Sequence, residues 1–250
     1  MALQEEMEKQ GNWLFKYRSY LPLIILLIGL IIFIHTEIHP QRYSIRDTPY
    51  ETYYEMFALF ISLIGQFIRV YTVGYSAKNT SGRNTKVGQI ADSINTTGVY
   101  SIVRHPLYLG NFFMWFGIAM LTTNLWFIIV FILLYWIYYE RIMFSEEQFL
   151  RRKFGKEYLE WSENIPAFIP KLKDFKKPDY PFNWKKVLRN EKNGIFAVFF
   201  VFCFFDILDE VINKTSHYNY FLIVMTLITA VAYVVLKYLK KRTILLNEVN

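Results

Sequence analysis

Six long apolar stretches limit what this chain can fold into. They cover residues 20–35, 53–75, 109–123, 125–139, 194–207 and 218–239. A helix needs about 20 apolar residues to cross the hydrocarbon core of a bilayer, and the second and sixth stretches reach that length. Hydrophobic residues make up 54% of the 250-residue chain and charged residues 20%, against about 25% charged in an ordinary soluble domain. The sequence therefore predicts an all-α fold, a polytopic transmembrane helical bundle of about six spans.

The distribution of lysine and arginine predicts the orientation of this bundle. All but three of the 28 basic residues fall on one side of the membrane if the N-terminus is cytoplasmic; the exceptions are Arg42, Arg46 and Lys214. Because cytoplasmic loops carry an excess of Lys and Arg, both termini are predicted to be cytoplasmic. Membrane anchoring also accounts for the net charge of +7, so no nucleic-acid partner is expected. Cys203 is the single cysteine, and no metal site is predicted.

The connection before the third stretch contains a candidate site. Residues 97–110 read Thr-Gly-Val-Tyr-Ser-Ile-Val-Arg-His-Pro-Leu-Tyr-Leu-Gly. Pro106 suits the first turn of a helix, where its missing N–H is not needed. Arg104 and His105 then precede a helix N-terminus, whose outward-facing N–H groups favour an anionic ligand.

The third and fourth stretches predict a tight helical hairpin that brings two carboxylates back to this connection. At 1.5 Å per residue, the chain runs about 24 Å outward from Tyr108 to Asn124 and about 33 Å back to Glu146. Glu146 and Glu147 are therefore expected beside Arg104 and His105 at one membrane surface. Each signal alone also fits an anchoring charge or a solvated helix with i, i+4 ion pairs. Their convergence favours a functional site, because ionisable groups at this depth are costly unless paired or used.

Five motif blocks occur in order between about residues 82 and 170, roughly a third of the chain. They are 97–100 (Thr-Gly-Val-Tyr), 104–110 (Arg-His-Pro-Leu-Tyr-Leu-Gly), 146–150 (Glu-Glu-Gln-Phe-Leu), 154–158 (Phe-Gly-Lys-Glu-Tyr) and Ile165, Pro166 and Pro170. In this order the blocks resemble the isoprenylcysteine carboxyl methyltransferase and phospholipid methyltransferase superfamily. The resemblance implies a helical membrane enzyme that holds S-adenosylmethionine at the cytoplasmic end of the hairpin and methylates a membrane lipid or lipidated acceptor.

The resemblance also implies which residues form the site. The expected cofactor-binding residues are Gln89, Ser93, Ile94, Asn95, Tyr100, Arg104, His105, Pro106, Leu107, Tyr108 and Glu146. Arg141 and Glu147 are the expected catalytic residues. Arg141 is the arginine nearest to the one that pairs with the substrate carboxylate in the prenylcysteine branch, and Glu147 is a candidate base. In that branch the arginine lies four residues before the first glutamate, where this chain has Ile142, which argues against a prenylcysteine substrate.

Several alternatives remain open from the sequence. O-methylation of a carboxylate or lipid phosphate is the first hypothesis, and N-methylation of a phospholipid amine is the second. A non-catalytic scaffold or a transporter, or a reductase that uses a nicotinamide cofactor, belongs to other classes. The predicted regions are an N-terminal transmembrane hairpin (1–76), a methyltransferase core (77–170), and a basic linker with a C-terminal transmembrane pair (171–250). The acceptor, the membrane and the oligomeric state do not follow from the sequence.

Overall fold

Helices form nearly all of the regular structure. The computed structural model describes residues 2–43, 45–46, 48–77, 80, 91–243 and 245–246. Its α-helices are α1 (Leu3–Tyr17), α2 (Leu21–Ile38), α3 (Glu51–Tyr75), α4 (Pro106–Met120), α5 (Leu125–Phe154), α6 (Lys156–Ser162), α7 (Trp184–Asn213) and α8 (Tyr220–Arg242). Within these residues there is no strand, and the one β-bridge joins Gly98 to Lys176. The predicted all-α class is confirmed.

Local sequence signals set where several helices begin. Asn124, Asn183 and Asn219 precede α5, α7 and α8, and each side-chain oxygen accepts a hydrogen bond from a backbone N–H in the first turn, at 3.0, 3.0 and 3.3 Å. Such caps satisfy donors that the helix itself leaves without a partner. Pro106 opens α4, as its fixed φ predicts. Polar turns therefore separate the apolar stretches into distinct helices.

The lengths of the helices determine how many of them fit a membrane. Among the described residues, α3, α5 and α8 are long and apolar enough to cross a bilayer, and α1 and α2, bent by 73° at their junction, make a fourth span if taken together. The number of spans predicted from the sequence, about six, is higher than these three or four. The α4 helix has only 15 residues, and α7 flanks its apolar stretch 194–207 with charged residues. The chain is nonetheless an integral membrane protein with several long apolar helices.

Close packing of α3 against α4 fixes the position of the α4 N-terminus. A side chain at Gly65 would collide with the backbone oxygen of Gly110, and one at Gly117 would collide with that of Ala58. Small residues at these positions let two helices approach closely in lipid, where dispersion contacts replace the hydrophobic effect as the driving force. Ser62 adds a hydrogen bond from Oγ to the carbonyl of Met114, at 2.8 Å.

The α4–α5 hairpin predicted from the sequence is present, and its second helix is twice as long as its first. The 30 residues of α5 extend about 45 Å, roughly 15 Å more than the hydrocarbon core of a bilayer. The last third of α5, which carries Glu146 and Glu147, therefore continues past the N-terminus of α4. The α1 helix packs along α5 as well.

Candidate active site

A cavity of about 370 Å³ lies where the N-terminus of α4 meets the last third of α5. Its walls come from the α1–α2 junction, α3, α4, α5, α7, residues 91–104 and Trp161 of α6. A volume of roughly 300–1,000 Å³ is typical of small-molecule sites. Most of the predicted cofactor residues line this cavity: Ser93, Ile94, Asn95, Tyr100, Arg104, His105, Pro106, Leu107, Tyr108 and Glu146. Gln89 lies outside the described residues.

The carboxylate of Glu146 is held between two side chains of the α4 N-terminus. The hydroxyl of Tyr108 donates to Oε2 of Glu146 at 2.9 Å, and Nδ1 of His105 lies 3.6 Å from the same oxygen. The rings of His105 and Tyr108 stack with centroids 5.6 Å apart. Two backbone bonds hold the corner itself, since the N–H groups of Arg104 and His105 donate to the 166 and 167 carbonyls at 2.9 and 3.1 Å. The motif blocks at 104–110, 146–150 and 165–170 thus meet in one place.

Glu147 occupies the other side of His105 and does not line the cavity. Its Oε1 lies 3.1 Å from Nε2 of His105 and 3.3 Å from Nε of Arg104. Successive helical residues point about 100° apart, so only one of the two glutamates can face the cavity. Burial lowers the pKa of His105, but the hydrogen bonds and charges of Glu146 and Glu147 outweigh burial and raise the pKa above its ordinary value.

The loop before α4 forms the outer wall of the cavity. Asn95 fixes this loop to the end of α3, because its Oδ1 accepts from the N–H of Ala77 at 3.0 Å and its Nδ2 donates to Oγ1 of Thr80 at 2.7 Å. Nζ of Lys153 donates to the carbonyl of Ala91. Burial raises the pKa of the Tyr100 hydroxyl, which therefore stays protonated and available as a donor.

Arg141 lies away from the cavity. Its side chain is 27% exposed and Nη1 lies 3.4 Å from Oε2 of the neighbouring Glu140. Ile142 next to it is fully buried. The catalytic roles expected for Arg141 and Glu147 therefore have no contact with the cavity to support them.

The structure adds charged and aromatic wall residues that the motifs did not indicate. Arg69 of α3 binds Glu191 of α7 through two bonds, from Nε and from Nη2, each at 2.8 Å. Nη1 of Arg69 donates to Oδ1 of Asn111 at 2.7 Å, which joins α3, α4 and α7 at the floor of the cavity. Arg69 interrupts an apolar stretch of the sequence. A charged residue in such a stretch indicates that the charge is paired or functional. Glu191 lies in the region predicted as a basic linker and C-terminal pair, and it is 1% exposed.

Two histidines lie close together at the C-terminal end of α2. His35 and His39 are four residues apart, the spacing of a helical metal pair, and their ring centroids lie 4.9 Å apart. Within the described part of the chain, these two residues do not belong to any group of three or more His, Cys, Asp or Glu side chains able to hold a metal ion.

Fold and site together define a helical membrane protein with a polar cavity at one end of its bundle. Comparison with known proteins makes this more specific. Residues 54–157 match the family model described as phospholipid methyltransferase. That segment runs from α3 through the α4–α5 hairpin to the start of α6. The superfamily predicted from the motif blocks is thereby confirmed for this segment.

Individual relatives each match part of the chain. The chain is 30% identical over 118 residues to the protein-S-isoprenylcysteine O-methyltransferase of Schizosaccharomyces pombe, covering 47% of this chain and 50% of that protein. It is 30% identical over 109 residues to the protein of the same name from Saccharomyces cerevisiae, covering 43% and 45%. It is also 33% identical over 89 residues to the nickel-cobalt-cadmium resistance protein NccN of Alcaligenes xylosoxydans xylosoxydans, covering 36% and 41%. The chain thus spans about half the length of these curated relatives. No solved structure matches it.

Proposed function

We propose that this protein is an S-adenosylmethionine-dependent methyltransferase that acts on a membrane-embedded lipid or lipidated acceptor, by O-methylation of an anionic group. One observation carries the proposal. The carboxylate of Glu146 meets Tyr108 and His105 at the N-terminus of α4, inside a cavity that also holds Asn95 and Tyr100. The names of the relatives and of the matching family support the same reaction class.

The cavity suits the chemistry of the cofactor. Pro106 has no N–H, and the N–H groups of Tyr108 and Leu109 donate to the His105 carbonyl at 3.2 and 3.1 Å. The N–H of Leu107 is therefore the first-turn donor of α4 that suits a carboxylate. Glu146 supplies the negative charge that an ammonium group requires. Nε1 of Trp161 is buried without a hydrogen-bond partner among the described residues, and Trp161 lines the cavity. A buried donor without a partner is costly, so this indole favours an acceptor atom from a ligand.

The protein has little acid–base work to do if the acceptor is already an anion. When bound, S-adenosylmethionine would supply a methyl group on a positively charged sulfur, and transfer of that group to an acceptor oxygen would leave a neutral thioether. Glu146, His105 and Tyr108 orient the donor, and the apolar helices exclude water. Alignment of this kind lowers the activation free energy by up to about 7–11 kcal/mol in well-oriented systems.

N-methylation of a phospholipid amine is the second candidate, favoured by the description of the matching family. It requires a base that removes a proton from the amine. Glu147, the expected base, is turned away from the cavity and is bound to His105 and Arg104. Glu191 lines the cavity but holds Arg69 with both oxygens. These contacts favour an acceptor that needs no base.

The orientation of the protein is part of the proposal. The excess of basic residues supports cytoplasmic N- and C-termini, and the cavity then opens at the cytoplasmic surface. The cofactor would reach the cavity from the cytoplasm, and a lipid acceptor would reach it from the bilayer.

Replacement of Glu146 tests the proposal directly. We expect Glu146→Ala to weaken binding of S-adenosylhomocysteine about a hundredfold, because a hydrogen-bonded charged partner is removed from a buried site. The measurement is calorimetry on the purified protein in detergent. The control is Glu140→Ala, which removes a carboxylate of α5 that pairs with Arg141 outside the cavity. Unchanged binding in Glu146→Ala, or no methyl transfer by the wild type to a total lipid extract, would contradict the proposal.

A further inference from the structure

The floor of the cavity is a second polar region, distinct from the cluster around Glu146. Asn111 lies about 8 Å along α4 from the first residue of that helix, and Tyr139 lies about 10 Å before Glu146 along α5. The floor is therefore one to two helical turns farther into the bundle than the Glu146 cluster. Four helices supply its five polar side chains, which are Arg69, Asn111, Tyr139, Asn190 and Glu191.

Arg69 keeps hydrogen-bond donors that the protein does not use. A guanidinium group has five N–H groups. Three of them donate to Glu191 and Asn111 at 2.7 or 2.8 Å, and Arg69 has no further hydrogen-bond partner among the described residues. One N–H therefore remains on each of Nη1 and Nη2. The side chain is 21% exposed and lines the cavity, which makes these two donors available to a bound group.

Glu191 holds the guanidinium group of Arg69 in one orientation. Both carboxylate oxygens of Glu191 accept from Arg69, and Oε2 also accepts from Nε2 of Gln66 at 3.1 Å. The charges of Arg69 and Glu191 balance, so the floor offers oriented N–H donors more than a net positive charge. A planar guanidinium fixed in this way suits the oxygen atoms of a carboxylate or phosphate, because little ordering is needed when they bind.

Asn190 adds further donors from α7. Its side chain lines the cavity and has no hydrogen-bond partner among the residues that the structure describes. A side-chain amide carries two N–H donors. The α7 helix packs on α3, which carries Arg69. Arg69 and Asn190 thus each present two N–H groups without a protein partner, and oxygen atoms of a ligand would satisfy them.

Apolar side chains connect the floor with the lipid-facing side of the bundle. Trp115 lines the cavity and also a small pocket against α2. Ile25 and Phe127 line that pocket and also an apolar groove of about 380 Å³ between α2 and α5. Ile28 and Val130 of the groove are 44% and 48% exposed, so the groove opens toward lipid. An acceptor with an apolar chain can therefore place its polar group at the floor while the chain stays among apolar groups.

We propose that Arg69 and Asn190 bind the oxygen atoms of the anionic group of the methyl acceptor at the floor of the cavity. The inference rests on the proposed function and adds to it the residues that select the acceptor. It is carried by the unused donors of both side chains and by the position of the floor beyond the Glu146 cluster. An ammonium headgroup carries only donors and does not match this floor. In this arrangement α4 and α5 hold the cofactor, and α3 and α7 hold the acceptor.

The test uses the full chain in detergent or lipid nanodiscs and measures cofactor binding and acceptor binding separately. Affinity for S-adenosylhomocysteine is measured by calorimetry. Transfer of a labelled methyl group is measured with a farnesylated cysteine, with vesicles of phosphatidic acid, and with vesicles of phosphatidylethanolamine. These probes present a carboxylate, a phosphate and an amine. The wild type is expected to methylate at least one of the two anionic acceptors.

Asn190→Asp is expected to raise KM for that acceptor about a hundredfold, with S-adenosylhomocysteine affinity unchanged. The variant keeps the shape of the side chain but places a like charge beside the acceptor anion. Arg69→Lys should raise KM about tenfold, because lysine keeps the positive charge that Glu191 requires and loses the planar fork of donors.

The matched control is Gln66→Met. Gln66 lies on the same helix as Arg69 and binds the same carboxylate of Glu191, but it does not line the cavity. Gln66→Met should lower the midpoint of thermal unfolding and leave KM within about twofold of the wild type. The comparison therefore separates a role in acceptor binding from a role in holding α3 and α7 together. Asn190→Asp disturbs no hydrogen bond within the described residues, so it tests the inference even if Arg69→Lys does not fold.

Other results would overturn the inference, and they distinguish it from the proposed function. With an active wild type, an unchanged KM in Asn190→Asp or in folded Arg69→Lys removes the inference alone. Loss of S-adenosylhomocysteine affinity in either variant would assign the floor to the cofactor instead. An equal rise in KM in Gln66→Met and Arg69→Lys would show that the effect is structural.

The choice of acceptor gives the remaining outcomes. Methylation of phosphatidylethanolamine only would contradict an anionic acceptor, and with it the inference, while the protein would still be a methyltransferase. A wild type that shows neither cofactor binding nor methyl transfer would contradict both the inference and the proposed function.

Discussion

Two clusters of buried charge lie at opposite ends of the α4–α5 hairpin, and only one of them faces open space. At the turn, Arg46 is almost fully buried, lies 2.8 Å from Glu37, and donates to the Leu121 carbonyl at 2.6 Å. The neighbouring cavity, lined by Glu55, measures about 10 Å³, close to the smallest volume that holds one water. The cluster around Glu146 instead borders about 370 Å³. Buried charge therefore marks a structural site at one end and a binding site at the other, and the open volume distinguishes them.

The largest expected effect is the loss of protein stability when the buried arginine at the α4–α5 turn is replaced. Arg46→Ala leaves Glu37 buried without its cation and removes the donor to the α4–α5 turn. Breaking a buried pair in this way costs about 3–5 kcal/mol, so the midpoint of thermal unfolding should fall by on the order of 10 °C.

Cofactor binding and a matched variant complete this test. The folded fraction of Arg46→Ala should bind S-adenosylhomocysteine as the wild type does. Arg42 is an exposed arginine four residues earlier. The free energy of unfolding of Arg42→Ala should lie within about 0.5 kcal/mol of the wild-type value. Loss of binding in Arg46→Ala at temperatures where it is folded would show that the two ends are coupled.

A smaller effect, dependent on pH, should follow from His105 at the other end of the hairpin. Its pKa is raised by Glu146 and Glu147, so the stability that this provides is complete below about pH 6.5 and is lost as the pH rises through the raised value. Glu147→Gln removes one of the two carboxylates and leaves the cavity wall intact. Glu147→Gln should therefore be less stable than the wild type by about 1.5–3 kcal/mol at pH 5.5, and by less at pH 8.5.

Thermal unfolding across that range measures the difference. Arg104 also lies 3.3 Å from Glu147. The charge of an arginine does not change between pH 5.5 and pH 8.5, so a difference that is the same at both pH values would assign the effect to Arg104 and not to His105.

The sequence predicted the hairpin and its cluster because both depend on local patterns. Apolar runs form helices in lipid whatever the tertiary contacts are, and helical rise alone returns Glu146 to the level of His105. The positions of Arg18 and Glu191 in the cavity wall were not predictable in the same way. Arg18 reaches the cavity only because α1 bends back along α5, and Glu191 only because α7 packs on α3. In the sequence both belong to charged segments that are indistinguishable from membrane anchors.

The choice between the two glutamates and the role of Arg141 illustrate the same limit at closer range. A difference of one helical position, about 100°, decides which side chain enters the cavity, and the phase of α5 is set by packing. Ile142 and Glu146 lie four residues apart on one face, whereas Arg141 points to a different side. Position 142, which corresponds to the arginine of the prenylcysteine branch, is filled here by a buried apolar side chain.

The smallest expected effect is therefore that of Arg141→Ala. The side chain of Arg141 contacts Glu140, not the cavity, and its carbonyl oxygen, which packs against Gly11, is retained in the variant. Affinity for S-adenosylhomocysteine and KM for the acceptor should both stay within about twofold of the wild type. A tenfold or greater rise in KM for Arg141→Ala, with cofactor affinity unchanged, would contradict this prediction. It would indicate that Arg141 of α5 contacts the anionic group of the acceptor.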